Sequence, residues 1–159
     1  MKISRRNLLK VSVFAVSAVA CMPRVVFAAR NSVKSLRTGA QPNGKTRLVI
    51  ETASRPTYSL SYPQNQLVIN LANTTVNTNA PKKLASGTLA KSIAQVQNGD
   101  SAQIVVNLTR PIADIAKSQI MILSPNGDND YRLVLDFVAG TGAGTASTTS
   151  AAATTSAST

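Results

Sequence analysis

The chain has 159 residues, enough for one domain of ordinary size. It contains no histidine and a single cysteine, which excludes histidine general bases, Ser-His-Asp triads, an intrachain disulfide and nearly every zinc site built from imidazole or thiolate. The formal charge of +11 overstates the surface charge: Lys2, Arg5, Arg6, Lys10 and Arg24 precede residue 29 with no acidic residue among them, so a chain without that segment carries about +6.

Residues 1–28 read as an export signal. A basic start is followed by the apolar run Val11 to Met22, too short to span a bilayer as a stable helix, and by a small-residue exit. Ser4-Arg5-Arg6-Asn7-Leu8-Leu9-Lys10 resembles the twin-arginine consensus S-R-R-x-F-L-K, with Leu8 where Phe is common. The resemblance implies export of a folded protein by the Tat translocase. Val26-Phe27-Ala28 places small residues at the −3 and −1 positions, so cleavage is expected after Ala28. Lipidation at Cys21 is the alternative, because Val19-Ala20-Cys21 loosely resembles a lipobox without its usual leucine.

Residues 29–138 read as an all-β domain. Four segments share one pattern, polar-aliphatic-Val-aliphatic-polar: Arg47 to Glu51, Gln66 to Asn70, Gln103 to Asn107 and Arg132 to Asp136. On a strand successive side chains point to opposite faces, so the aliphatic pairs face a core and the polar-Val-polar rows face solvent. Thr52, Leu71, Leu108 and Phe137 extend the inner face. Weaker strands precede two of these: Val33 to Ala40, turning at Pro42-Asn43-Gly44, and Ile93 to Gln97, turning at Asn98-Gly99-Asp100. Arg55-Pro56 and Arg110-Pro111 then occupy matching places, followed by Tyr58/Leu60/Tyr62 in one half and Ile112/Ile115 in the other.

The domain is thus two copies of a four-strand unit, offset by about 55 to 66 positions, with Ala72 to Gly87 joining them. Each unit has one apolar face, and two units packed face to face give a sandwich of two similar four-stranded sheets. A closed barrel is the alternative. If each half forms one sheet, each sheet presents one charged row and one amide row to solvent. From Gly140 to Thr159 only Gly, Ala, Ser and Thr occur, so residues 139–159 read as a flexible linker leading to a domain beyond this chain or ending in solvent.

The stretch Lys45 to Glu51, the Arg-Pro after it and the closing Gln66 to Leu71 resemble an AMIN domain over about residues 32–138. Such domains stand at the N-terminus of periplasmic N-acetylmuramoyl-L-alanine amidases of the cell-division type and in some type IV pilus secretins. The resemblance implies a fold of two symmetric four-stranded sheets. It also implies peptidoglycan binding, a periplasmic location enriched at the division septum, and divisome proteins as candidate partners. The amidase's zinc domain needs His and Glu ligands and a Glu base. With no histidine and Glu51 the one glutamate, this chain departs from that layout, and amidase activity is not carried over.

No catalytic residue, metal or cofactor is therefore expected, and nucleic acid is not the expected partner, because the basic residues are scattered singly apart from Lys82-Lys83. Peptidoglycan carries stem-peptide carboxylates, which arginine grips in a bidentate fork. Arg47, Glu51, Arg132 and Asp136 on the outer faces are the expected contacts, with Arg37 beside them. Tyr58 and Tyr62 read as the rim of the core rather than a sugar platform. An assembly module that pairs with proteins through a sheet edge, as in secretins, is the competing reading.

Overall fold

Alternation of apolar and polar side chains drives most of the domain into extended backbone. The computed structural model describes residues 29–140 and 149–151; Arg5, Arg6, Cys21 and Ala28 lie outside the described residues. The strands are β1 (Asn31–Gln41), β2 (Lys45–Thr52), β3 (Tyr58–Ser61), β4 (Gln66–Leu71), β5 (Thr74–Thr75), β6 (Lys82–Lys83), β7 (Ala90–Asn98), β8 (Ser101–Leu108), β9 (Ile120–Leu123), β10 (Tyr131–Phe137) and β11 (Thr149–Ala151). Two hairpin turns use left-handed backbone that glycine adopts without a Cβ penalty: Gly44 at φ 68° between β1 and β2, and Gly99 at φ 56° between β7 and β8. No helix among the described residues is long and apolar enough to cross a membrane.

The strands form two separate sheets, ordered β5-β1-β2-β10-β9, with β6 also pairing β1, and β11-β3-β4-β8-β7. Their inner faces share one core. Leu48 and Ile50 of β2, Leu133, Leu135 and Phe137 of β10, Leu67, Ile69 and Leu71 of β4, and Ile104, Val106 and Leu108 of β8 are all buried in it. Each such side chain contributes on the order of 1.5–3 kcal/mol relative to exposure. The fold is an all-β sandwich built by duplication, with four strands at the heart of each sheet, and not a closed barrel.

The halves do not form one sheet each. The first sheet joins β1 and β2 of the first half to β10 and β9 of the second, and the other joins β7 and β8 to β4 and β3. The first two strands of each half therefore pair with the last two of the other, across β2·β10 and β4·β8. The two Arg-Pro dipeptides mark the crossings. Each follows a central strand, and a proline cannot donate to the ladder, so the chain leaves one sheet there and enters the opposite one. This exchange buries each half's apolar face against both partners at once.

One segment differs from expectation. The third strand of the second half is β9, not the Ile112–Ile115 stretch. Ile112 makes only an isolated bridge to Ala139, and Ile112 and Ile115 are buried as a plug at the end of the core. Tyr62, itself buried, accepts a hydrogen bond from the Ile115 backbone N–H at 3.3 Å. The Ile120-Met121-Ile122-Leu123 run is apolar throughout and shows no alternation to read. Most of the segment expected as a linker, residues 141–148 and 152–159, lies outside the described residues; Gly140 donates its N–H to Pro111 at 2.9 Å, and β11 pairs with β3. An open sheet edge accepts backbone regardless of side chain.

Candidate functional site

Register fixes what lies on the outer face of the first sheet. Three rows cross the strands: Gly39, Arg47 and Asp136; Arg37, Val49, Val134 and Met121; Ser35, Glu51, Arg132 and Leu123. The middle row is apolar except for Arg37, and charged rows flank it.

The charges are not equivalent. Arg47 donates through Nε and Nη2 to the two carboxylate oxygens of Asp136, both at 2.7 Å, the bidentate geometry that makes such pairs strong. That hydrogen bond, and then the guanidinium charge with Lys45 beside it, hold the Asp136 carboxyl below its usual range against the opposing effect of burial. The same bond raises the Arg47 pKa. Glu51 is held from the other side: Arg37 Nη1 lies 3.0 Å from Oε1, and the Ser35 hydroxyl donates to Oε2 at 2.5 Å. Arg132 faces Glu51 across β2·β10 but forms no ion pair among the described residues, and its buried Nε has no hydrogen-bond partner there.

These side chains surround a shallow depression of about 260 Å³. Val49 and Val134 line it together with Met121, Leu123 and the guanidinium-bearing side chains of residues 37, 47 and 132. Val134 is 3% exposed although it sits on an outer face, because the long side chains around it cover it. Met121 and Leu123 are among the few large apolar side chains left open, at 40% and 38%. Lys83 of β6, opposite Arg37 in register, adds a further positive charge at the edge.

The second sheet carries the same positions in neutral form. Gln103 donates to Asn70 at 3.1 Å where Arg47 meets Asp136, and Gln66 donates to Asn107 at 2.9 Å where Arg132 faces Glu51. Asn107 in turn donates to the Ser92 hydroxyl at 2.8 Å. Ala94 stands in place of Arg37, and Ser61 in place of Met121. The expectation of one charged row and one amide row per sheet is thus overturned by the strand exchange. Both charged rows share one sheet, and both amide rows share the other.

All five expected contacts, Arg37, Arg47, Glu51, Arg132 and Asp136, lie on a single face. Sequence reasoning missed Met121 and Leu123, because β9, apolar throughout, shows no alternation. Tyr62 is a core residue and Tyr58 is half-buried against the core; burial raises both phenol pKa values. No protein-family model and no curated protein matches the chain.

Proposed function

We propose that the chain is a non-catalytic peptidoglycan-binding module, exported to the periplasm by the Tat translocase, and that it serves as the septal-targeting part of a cell-wall amidase. The observation that carries this reading is the apolar depression bounded by three guanidiniums and only two carboxylates on one face of the sandwich. Such a face offers positive charge for stem-peptide carboxylates and aliphatic surface for the uncharged parts of the polymer. The AMIN resemblance of the sequence supplies the polymer's identity and the septal location. The absence of histidine and the single glutamate in the sequence support a binding role without hydrolysis.

The test is co-sedimentation of the processed chain with purified sacculi, over a salt series and against microcrystalline cellulose as a neutral glycan. Retention on sacculi that weakens with salt, with none on cellulose, is the expected result. Equal partition onto both polymers removes the reading. A second reading, an assembly module that binds proteins, is favoured by the terminal strands β7 and β9. Each ends a sheet, and Val96, Met121 and Leu123 are exposed on them. Capture of a divisome or pilus protein in the absence of sacculi, by a chain that ignores sacculi, decides for it.

A further inference from the structure

The two outer faces are a natural comparison, because one scaffold position is filled twice. Wherever the second sheet uses Gln66, Ser61 and Ala94, the first uses Arg132, Met121 and Arg37. The fold therefore does not need a guanidinium or an apolar wall at those places. Charge bookkeeping on the first face isolates one group. Arg47 is committed to Asp136 by two bonds, and Glu51 is committed to Arg37 and Ser35. Arg132 is left over, with its Nε buried and unpartnered among the described residues, beside Val134, Met121 and Leu123. An arginine without a carboxylate partner, beside aliphatic side chains, is the group with which an incoming carboxylate can pair.

We propose that this depression binds the terminal α-carboxylate of a short aliphatic peptide, with Arg132 gripping the carboxylate and the exposed Met121 and Leu123 receiving the adjacent methyl groups. The inference rests on the peptidoglycan reading and names the part of the polymer recognised: the alanine-ended stem peptide rather than the glycan. Size supports an end group. At about 260 Å³ the depression falls below the roughly 300 Å³ at which pockets for whole small-molecule ligands begin, and it holds a dipeptide end more readily than a disaccharide. Chemistry supports a carboxylate over a phosphate, because the other two guanidiniums lining the depression are already paired, Arg37 with Glu51 and Arg47 with Asp136, which leaves a single unpaired fork.

Arg132→Gln is the informative variant, since Gln66 already fills the equivalent place in the second sheet. The processed chain is titrated by NMR with N-acetyl-D-alanyl-D-alanine, with its C-terminal amide and with inorganic phosphate. Saturable shifts at Met121, Leu123 and Val134 with the acid are expected, weakened about tenfold or more for the amide and for Arg132→Gln with the acid. Equal binding of acid and amide, equal binding by parent and variant, or full competition by phosphate overturns the assignment. In parallel, parent and variant are sedimented with intact sacculi and with sacculi whose carboxyls are amidated. Sacculi that retain the parent while the dipeptide shifts nothing on this face sink the assignment and leave the wall reading standing. Dipeptide binding here by a chain that ignores sacculi supports the carboxylate site and sinks the wall reading.

Discussion

Replacing Arg47 by glutamine tests the structural role of paired charge on the first face. Two 2.7 Å bonds tie Arg47 to Asp136, whose side chain is 16% exposed against 38% for that of Arg47. An exposed ion pair contributes about 0–1 kcal/mol, and orphaning one member of a buried pair costs about 3–5 kcal/mol. Asp136 lies nearer the buried limit, but water reaches the arginine side and replaces part of what is lost. The expected cost of Arg47→Gln is therefore about 2 kcal/mol. The second sheet supplies the repair, because Gln103 and Asn70 fill the matching sites as a neutral pair. Adding Asp136→Asn to Arg47→Gln copies that pair and returns stability to within about 1 kcal/mol of the parent.

Urea unfolding at neutral pH measures both variants. At a slope of about 1.5 kcal/mol/M the single variant loses about 1.3 M in midpoint, and the double variant regains most of it. Acid adds a check of sign. The Asp136 carboxyl is depressed chiefly by the Arg47 hydrogen bond. Its contribution is fully present above the unfolded carboxylate value, about 3.9, and is lost as pH falls through the folded value below it. The gap between parent and Arg47→Gln thus closes in acid. A single variant as stable as the double one, or a gap that widens on acidification, refutes the reasoning.

Other consequences are open to direct measurement. Leu135→Ala empties a fully buried site between the sheets and lowers stability by about 2–5 kcal/mol, read as a drop in thermal midpoint with the β-type circular dichroism spectrum retained at 20 °C. Gly140→Ala places a methyl 2.9 Å from the backbone of Ile112 and Ala113, so the Gly140–Pro111 bond gives way; a loss of about 1–3 kcal/mol is expected, and no loss means that bond is not part of the cooperative unit. Changing Arg5 and Arg6 to Lys leaves precursor in the cytoplasm by fractionation, whereas Cys21→Ala leaves release into the periplasm unaltered.

The core was legible from sequence because it depends on a period of two. Every inward position read from the four repeated rows, from Leu48 to Phe137, is buried. The turns were legible from Pro42-Asn43-Gly44 and Asn98-Gly99-Asp100, whose backbone needs are local. Strand order was not legible. The alternation of Arg47-Val49-Glu51 states which face is polar but not which neighbour lies across the ladder, and β2·β1 and β2·β10 satisfy it equally. The Arg-Pro dipeptides carried the missing signal, as places where a chain leaves a ladder. β9 was hidden for a different reason. Its outer face keeps Met121 and Leu123, so polarity never alternates, and the residues that obscured the strand are those that complete the candidate site.

Charge on the first face is a joint property of the two halves. β2 comes from the first half and β10 from the second, so Arg47–Asp136 and Glu51–Arg132 are contacts between copies. Across antiparallel neighbours, opposite charges contribute about 0.2–1 kcal/mol and like charges destabilise, so a charge introduced in one copy is favourable only when the other copy answers it. Arg47 is answered by Asp136 in that way. Glu51 is answered from its own hairpin, by Ser35 and Arg37, which leaves the arginine that the second half contributes without a carboxylate of its own. The second sheet fills that place with the neutral Gln66, which donates to Asn107. Beside exposed Met121 and Leu123, Arg132 is the arginine of this face that no carboxylate pairs among the described residues.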